Sequence, residues 1–177
     1  MTAKKTRLYQ SILESIMSEI DVVNVRLVRD YKYYSDKNIT CPLDVVDLLG
    51  DVMAEFDRET LAVITLDNKN KPININFASV GAIDSSIVSP REILKVAILS
   101  NAKSIMLAHN HPSSDVTPSK YDVMVTDQMS KACKLMEIPL VDHVIIGRDN
   151  YFSFKSKSVI DYTDSFKYET DYKKIIL

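Results

Sequence analysis

Glycine, cysteine and histidine are scarce in this chain: three, two and three respectively among 177 residues. Cys41 and Cys133 stand at no metal-type spacing, and two thiols make no disulfide framework, so a reduced, cytoplasmic protein is the expectation. No apolar run is long enough to span a bilayer, which excludes a membrane helix. The basic start MTAKKTRLYQ leads into no apolar h-region, so no secretory signal is expected. A surplus of either charge is also lacking. The net charge is −2 and the pI about 5.9, which argues against broad, charge-driven nucleic-acid binding and leaves room only for a local basic patch. There are no internal repeats and no low-complexity blocks. What is present is ordinary for a globular domain, with 46% hydrophobic and 26% charged residues, and the length suits one domain with a sizeable core.

Periodicity divides the chain into helices and strands. Leu8, Ile12, Ile16 and Ile20 repeat every four residues and predict a helix over Arg7 to Ile20, with an apolar stripe that could support a homodimer. Val23, Val25 and Leu27 alternate with Asn24 and Arg26 and predict a strand. The polar, tyrosine-rich stretch from Asp30 to Thr40 reads as loop. Pro42 suits the first turn of a helix whose stripe is Val45, Leu48, Leu49, Val52 and Phe56. The run TLAVITL, the turn-like DNKNKP and the alternation of Ile73, Ile75 and Phe77 predict a hairpin. Ser89-Pro90-Arg91-Glu92 has the form of a capping box and opens a helix to about Ala102. SIMLA, from Ser104 to Ala108, reads as a buried strand; Thr117-Pro118 opens a helix to about Met136; VDHVIIG and YFSF read as strands. The expectation is an α/β domain with a mixed, partly antiparallel sheet over 41–155. It is preceded by a helix-and-strand extension over 1–40 and followed by a tail over 156–177.

Two of the three histidines stand one residue apart in LAHNHPSSDVTPSKYD, from Leu107 to Asp122. At a strand end, residues i and i+2 point the same way, so His109 and His111 can reach one point while Asn110 faces away. Pro112 ends the strand pattern. Ser119 and Asp122, three apart, share a face at the start of the next helix. Two imidazoles and a carboxylate suit a catalytic zinc, which keeps a fourth position for water and lowers the pKa of that water toward neutrality. His109, His111 and Asp122 are the expected ligands; Asp115 is the competing carboxylate, but it lies in the loop. The alternatives lack their signatures. There is no His-x-Glu with Pro-Cys-x-x-Cys, as a zinc deaminase would need, and no His-Glu-x-x-His. His143, inside an apparent strand, reads as a buried histidine satisfied by a neighbour. Cys133 reads as core.

His109-x-His111, seven residues, Ser119, two residues and Asp122 resembles the JAMM (MPN+) metallopeptidase motif. The blocks SPRE, LAHNHPS, PSKYD and LVDHVIIG are similar to its bacterial RadC-like branch, over roughly Cys41 to Phe154. The resemblance implies a JAB/MPN, cytidine-deaminase-like architecture: a mixed, largely antiparallel sheet flanked by helices. It implies one zinc per chain on His109, His111 and Asp122, with Ser119 assisting by hydrogen bonding and an upstream glutamate as general base and acid. Three glutamates are available. Glu59, before LAVITL, best matches the family position; Glu55 lies one turn earlier; Glu92 is explained by its capping role. The implied activity is a zinc-dependent metallopeptidase or isopeptidase acting on a peptide or protein.

The competing readings are a RadC-type DNA-repair or mobile-element accessory protein and a non-catalytic, zinc-stabilised interaction module. RadC-like proteins often carry a helix-hairpin-helix segment associated with DNA. Here the glycines are Gly50, Gly81 and Gly147, so the first forty residues hold no glycine-bearing hairpin, and nucleic acid is only a weakly supported partner. The family usually has glycine where this chain has Ser114, a strain if that position needs positive φ.

Overall fold

The computed structural model describes residues 20–35, 37–80 and 89–157. Its elements are α1 (Pro42–Ala54), β1 (Thr60–Leu66), β2 (Pro72–Val80), α2 (Pro90–Leu99), β3 (Ser104–Asn110), α3 (Lys120–Leu135), β4 (Leu140–Ile146) and β5 (Tyr151–Ser153). The strands form one sheet in the order β2-β1-β3-β4-β5. The pairs β1–β2, β1–β3 and β4–β5 are antiparallel, whereas β3–β4 is parallel. A parallel neighbour needs a crossover, and α3 supplies it. The chain therefore forms an α/β domain, as its periodicities predict, with the mixed, largely antiparallel sheet flanked by helices that the resemblance implies.

β1 and β3 are buried at all seven positions of each, which is why TLAVITL and SIMLA read as continuous apolar runs. Alternation divides their side chains between two cores. Leu61, Val63, Ile105 and Leu107 pack with Ile93 and Ala97 of α2 and Val125, Met129 and Cys133 of α3. Ala62, Ile64, Met106 and Ala108 pack with Val45, Leu48, Leu49 and Met53 of α1. One face of the sheet thus carries α1 and the other carries α2 and α3. Each fully buried Leu or Ile contributes on the order of 1.5–3 kcal/mol relative to exposure, so the middle of the sheet carries much of the packing energy among the described residues. Both cysteines are free thiols, and burial pushes the Cys133 thiol up to about 12.

Three expectations need correction. Val23 to Leu27 lies in no strand: Val23 and Val25 are each 73% exposed, and every edge in the described sheet is made by other segments. Alternation makes a strand only where a neighbouring backbone accepts its hydrogen bonds. Within 1–40, the described residues thus form neither helix nor strand. The Ser89 capping box does not close. Ser89 is the N-cap and Pro90 follows it, but its side chain makes no cap bond, and the Glu92 carboxylate turns to Lys95 at 2.5 Å and Arg91 at 3.4 Å. Third, α3 begins at Lys120, with Ser119 rather than Thr117 as its cap. The helix predicted over Arg7 to Ile20, and the apolar stripe that could support a dimer, fall almost wholly outside the described residues, as does nearly all of the 156–177 tail. No described helix is long and apolar enough to cross a membrane.

Candidate metal centre

β3 ends at the site, and its alternation decides which side chains arrive there. Ile105 and Leu107 face α2 and α3, so His109 does too. Asn110 points the other way. Its Oδ1 accepts from the Thr60 N–H at 2.8 Å and its Nδ2 donates to the Arg58 carbonyl at 3.2 Å, tying the end of β3 to the start of β1. His111 follows directly after β3, where its N–H donates to the Ile146 carbonyl at 3.0 Å. Asp122 comes from the first turn of α3. There the Ser119 N–H donates to Asp122 Oδ2 at 2.7 Å, and Ser119 Oγ accepts from the Asp122 N–H at 3.2 Å, a reciprocal capping box.

These elements bring the predicted ligands together. His109 Nε2 lies 3.0 Å from His111 Nε2 and 3.3 Å from Asp122 Oδ1, and His111 Nε2 lies 3.7 Å from Asp122 Oδ2. It is the one group of metal-capable side chains among the described residues. His109 and Asp122 are buried, while His111 keeps one edge toward solvent. The His111 Nδ1 lies 2.6 Å from the Asp115 carbonyl, which can only accept, so Nδ1 carries a proton and Nε2 is the ring nitrogen turned to the cluster. Ligands about 2.0–2.1 Å from one tetrahedral ion lie roughly 3.3 Å apart; His109 Nε2 stands 3.0 Å from His111 Nε2 and 3.3 Å from Asp122 Oδ1, and one atom from each of the three residues lies within 4.8 Å of the others. The donor set and its geometry therefore fit a zinc ion.

The electrostatics are those of a compact cluster whose members act strongly on one another. Burial, with the neighbouring His143 ring, holds His109 well below the ordinary imidazole value. The Asp122 hydrogen bond raises His111, against its own partial burial, and the charge of Glu59 adds to the rise. For Asp122 burial works upward, but the His111 bond, the His109 charge and Ser119 outweigh it and hold the carboxyl well below the usual range. Burial takes His143 down to about 4.

The other predicted residues divide clearly. Glu59 is half-buried just before β1, near enough for its charge to act on His111. Glu55 lies at the end of α1 on a cavity of about 270 Å³ that His111, Asn110 and Arg148 also line. Glu92 is in the first turn of α2 and is ion-paired at the surface. Asp115 serves the site through its backbone carbonyl; its carboxylate accepts from the Thr117 N–H at 3.0 Å instead. Two further residues belong to the site. His143 Nε2 lies 2.8 Å from His109 Nδ1, and His143 Nδ1 lies 2.6 Å from Thr126 Oγ1. The sequence favours reading His143 as a buried histidine satisfied by a neighbour over one that supports the metal ligands; the ring is buried, and the neighbour it meets is the expected ligand His109. For Thr126 the sequence carries one signal, a position four after Asp122, one turn along the same helix face.

A histidine pair ending the middle strand of a mixed sheet, with a serine–aspartate cap opening the next helix, defines a JAB-type domain. The family model described as RadC-like JAB domain matches residues 39–159, and the chain belongs to that family. Curated relatives include a "UPF0758 protein" of Clostridium tetani (strain Massachusetts / E88), 42% identical over 132 residues, which are 75% of this chain and 58% of that protein. Another, from Caldanaerobacter subterraneus subsp. tengcongensis, is 44% identical over 125 residues, 71% of this chain and 54% of that protein. The chain thus spans little more than half the length of these relatives.

Proposed function

We propose that this protein is a zinc-dependent hydrolase of peptide or isopeptide bonds, with His109, His111 and Asp122 holding one zinc ion. The observation that carries the reading is the convergence of two imidazole nitrogens and a carboxylate within 3.0–3.7 Å, at a strand end where one edge stays open to solvent. A zinc ion bound there supplies Lewis-acid activation of water and polarisation of a carbonyl. Glu59 takes the proton of the attacking water and returns it to the leaving amine nitrogen. Its half-buried place before β1 and its electrostatic reach to His111 support it over Glu92, whose carboxylate is engaged with Lys95 and Arg91. The Ser119 hydroxyl accepts from the Asp122 N–H and has its own proton to donate to the developing oxyanion. On this reading the substrate is a peptide or protein.

Zinc content and cleavage of a peptide library, read by mass spectrometry, test this together. Asp122→Ala is expected to lose both metal and cleavage. Glu59→Gln is expected to keep the metal and lose at least a hundredfold in turnover, the range typical of a removed general base. Unchanged turnover in Glu59→Gln would show that another group moves the proton.

A further inference from the structure

We propose that Thr126 and His143 are positioning residues of the metal centre. They form a one-way hydrogen-bond relay, donated from the His109 ring through His143 and Thr126 to the Asp122 backbone carbonyl, that leaves His109 Nε2 bare for the metal. The inference rests on the zinc reading above, but its geometry is independent of any reaction.

The direction of the relay follows from the one member that can only accept. Thr126 Oγ1 lies 2.5 Å from the Asp122 carbonyl and 2.6 Å from His143 Nδ1. The hydroxyl has one proton. Were it directed at His143, two oxygens would face each other at 2.5 Å with nothing between them, so it goes to the carbonyl. His143 Nδ1 must then donate to Thr126. The His143 ring is wholly buried, stacked on Phe154 at 5.1 Å between centroids, a setting that favours the neutral form. A neutral ring protonated at Nδ1 presents a lone pair at Nε2, and there, at 2.8 Å, stands His109 Nδ1. His109 therefore donates from Nδ1, and its Nε2 lone pair points at His111 and Asp122.

The relay crosses three elements. Thr126 belongs to α3, His143 to β4 and His109 to β3. β3 and β4 run parallel with Leu107 opposite His143, so His143 and His109 project from the same face of the sheet, one diagonal step apart. The relay begins at the ring of one expected ligand and ends on the backbone carbonyl of another. It thus fixes both the rotation of the imidazole and its distance from the helix that carries the carboxylate. A histidine ligand that loses such an outer partner usually loses ten- to a hundredfold in metal affinity.

Two measurements test this, using zinc alone as the probe. The first is the tautomer pattern of the histidines in zinc-free wild type, from long-range proton–nitrogen correlation spectra. The relay requires His143 and His109 both protonated at Nδ1 and bare at Nε2. Protonation of His143 at Nε2 would overturn it. The second is zinc affinity by chelator competition in Thr126→Val and Thr126→Ser. Valine, of similar shape but without the hydroxyl, is expected to weaken zinc at least tenfold, and serine to recover affinity to within about threefold. Folded Thr126→Val with wild-type affinity would contradict the proposal. If Thr126→Val does not fold, Thr126→Ser and the wild-type spectra decide. If wild type takes up no zinc, the hydrolase reading fails, and the tautomer pattern still reports on the relay.

Discussion

Ser114 holds a backbone conformation that an L-residue rarely adopts, with φ at 61°. The turn places it there because its N–H donates to the His111 carbonyl at 2.8 Å and the next residue offers its carbonyl to the His111 ring. The strain of a left-handed serine is about 1 kcal/mol, offset in part by a 3.3 Å bond from the Arg148 N–H to its hydroxyl. Ser114→Gly is expected to raise stability by up to about 1 kcal/mol in urea unfolding, with zinc affinity unchanged; a loss of stability would mean the hydroxyl outweighs the strain. This residue shows what single positions disclose. The strain was legible because glycine usually stands here in similar sequences, and the ligand set was legible because i and i+2 share a side of a strand. The part of Thr126 was not, since it exists only once β4 pairs in parallel with β3 and sets His143 between α3 and His109.

At the scale of elements, α1 shows how a helix start is fixed. Asp44 Oδ2 accepts from the Thr40 N–H at 2.7 Å, the Thr40 hydroxyl at 2.7 Å and the Cys41 N–H at 2.9 Å. The Thr40 hydroxyl, first among these, holds the Asp44 carboxyl down to about 2. A carboxyl depressed in the folded state stabilises above its unfolded value, near 3.8, and that stabilisation is lost as pH falls toward 2. Asp44→Ala is therefore expected to lower stability by roughly 0.5–1 kcal/mol at pH 6, a figure discounted for solvent exposure. The difference in Tm between wild type and variant should close between about pH 4 and pH 2. A difference that persists at pH 2 would remove the carboxylate from the explanation. Most helices and strands of the sheet domain were legible from period and punctuation, since α1, α2, α3, β1, β3 and β4 each have a buried stripe or run. Val23 to Leu27 failed because a period of two describes the side chains and says nothing of a partner. The Ser89 box failed because Lys95, one turn on, competes for Glu92.

For the whole molecule, the sheet order and the parallel β3–β4 pair could not be read from periodicity, which carries no information on which strands meet. Yet that order does the positioning. It sets β3 in the middle, buries it between two cores, and leaves only its end, with the start of α3, to form the centre. Zinc held by β3, the residue after it and α3 would fasten strand to helix, so the folded state gains stability with bound metal, about 2.7 kcal/mol at a hundredfold excess over Kd. The most direct test of this account is the zinc content, by elemental analysis, of purified wild type beside His109→Ala and Asp122→Ala. The account predicts close to one zinc per chain in wild type and loss of it in both variants. Well-folded wild type that stays free of zinc after incubation with the ion would contradict it.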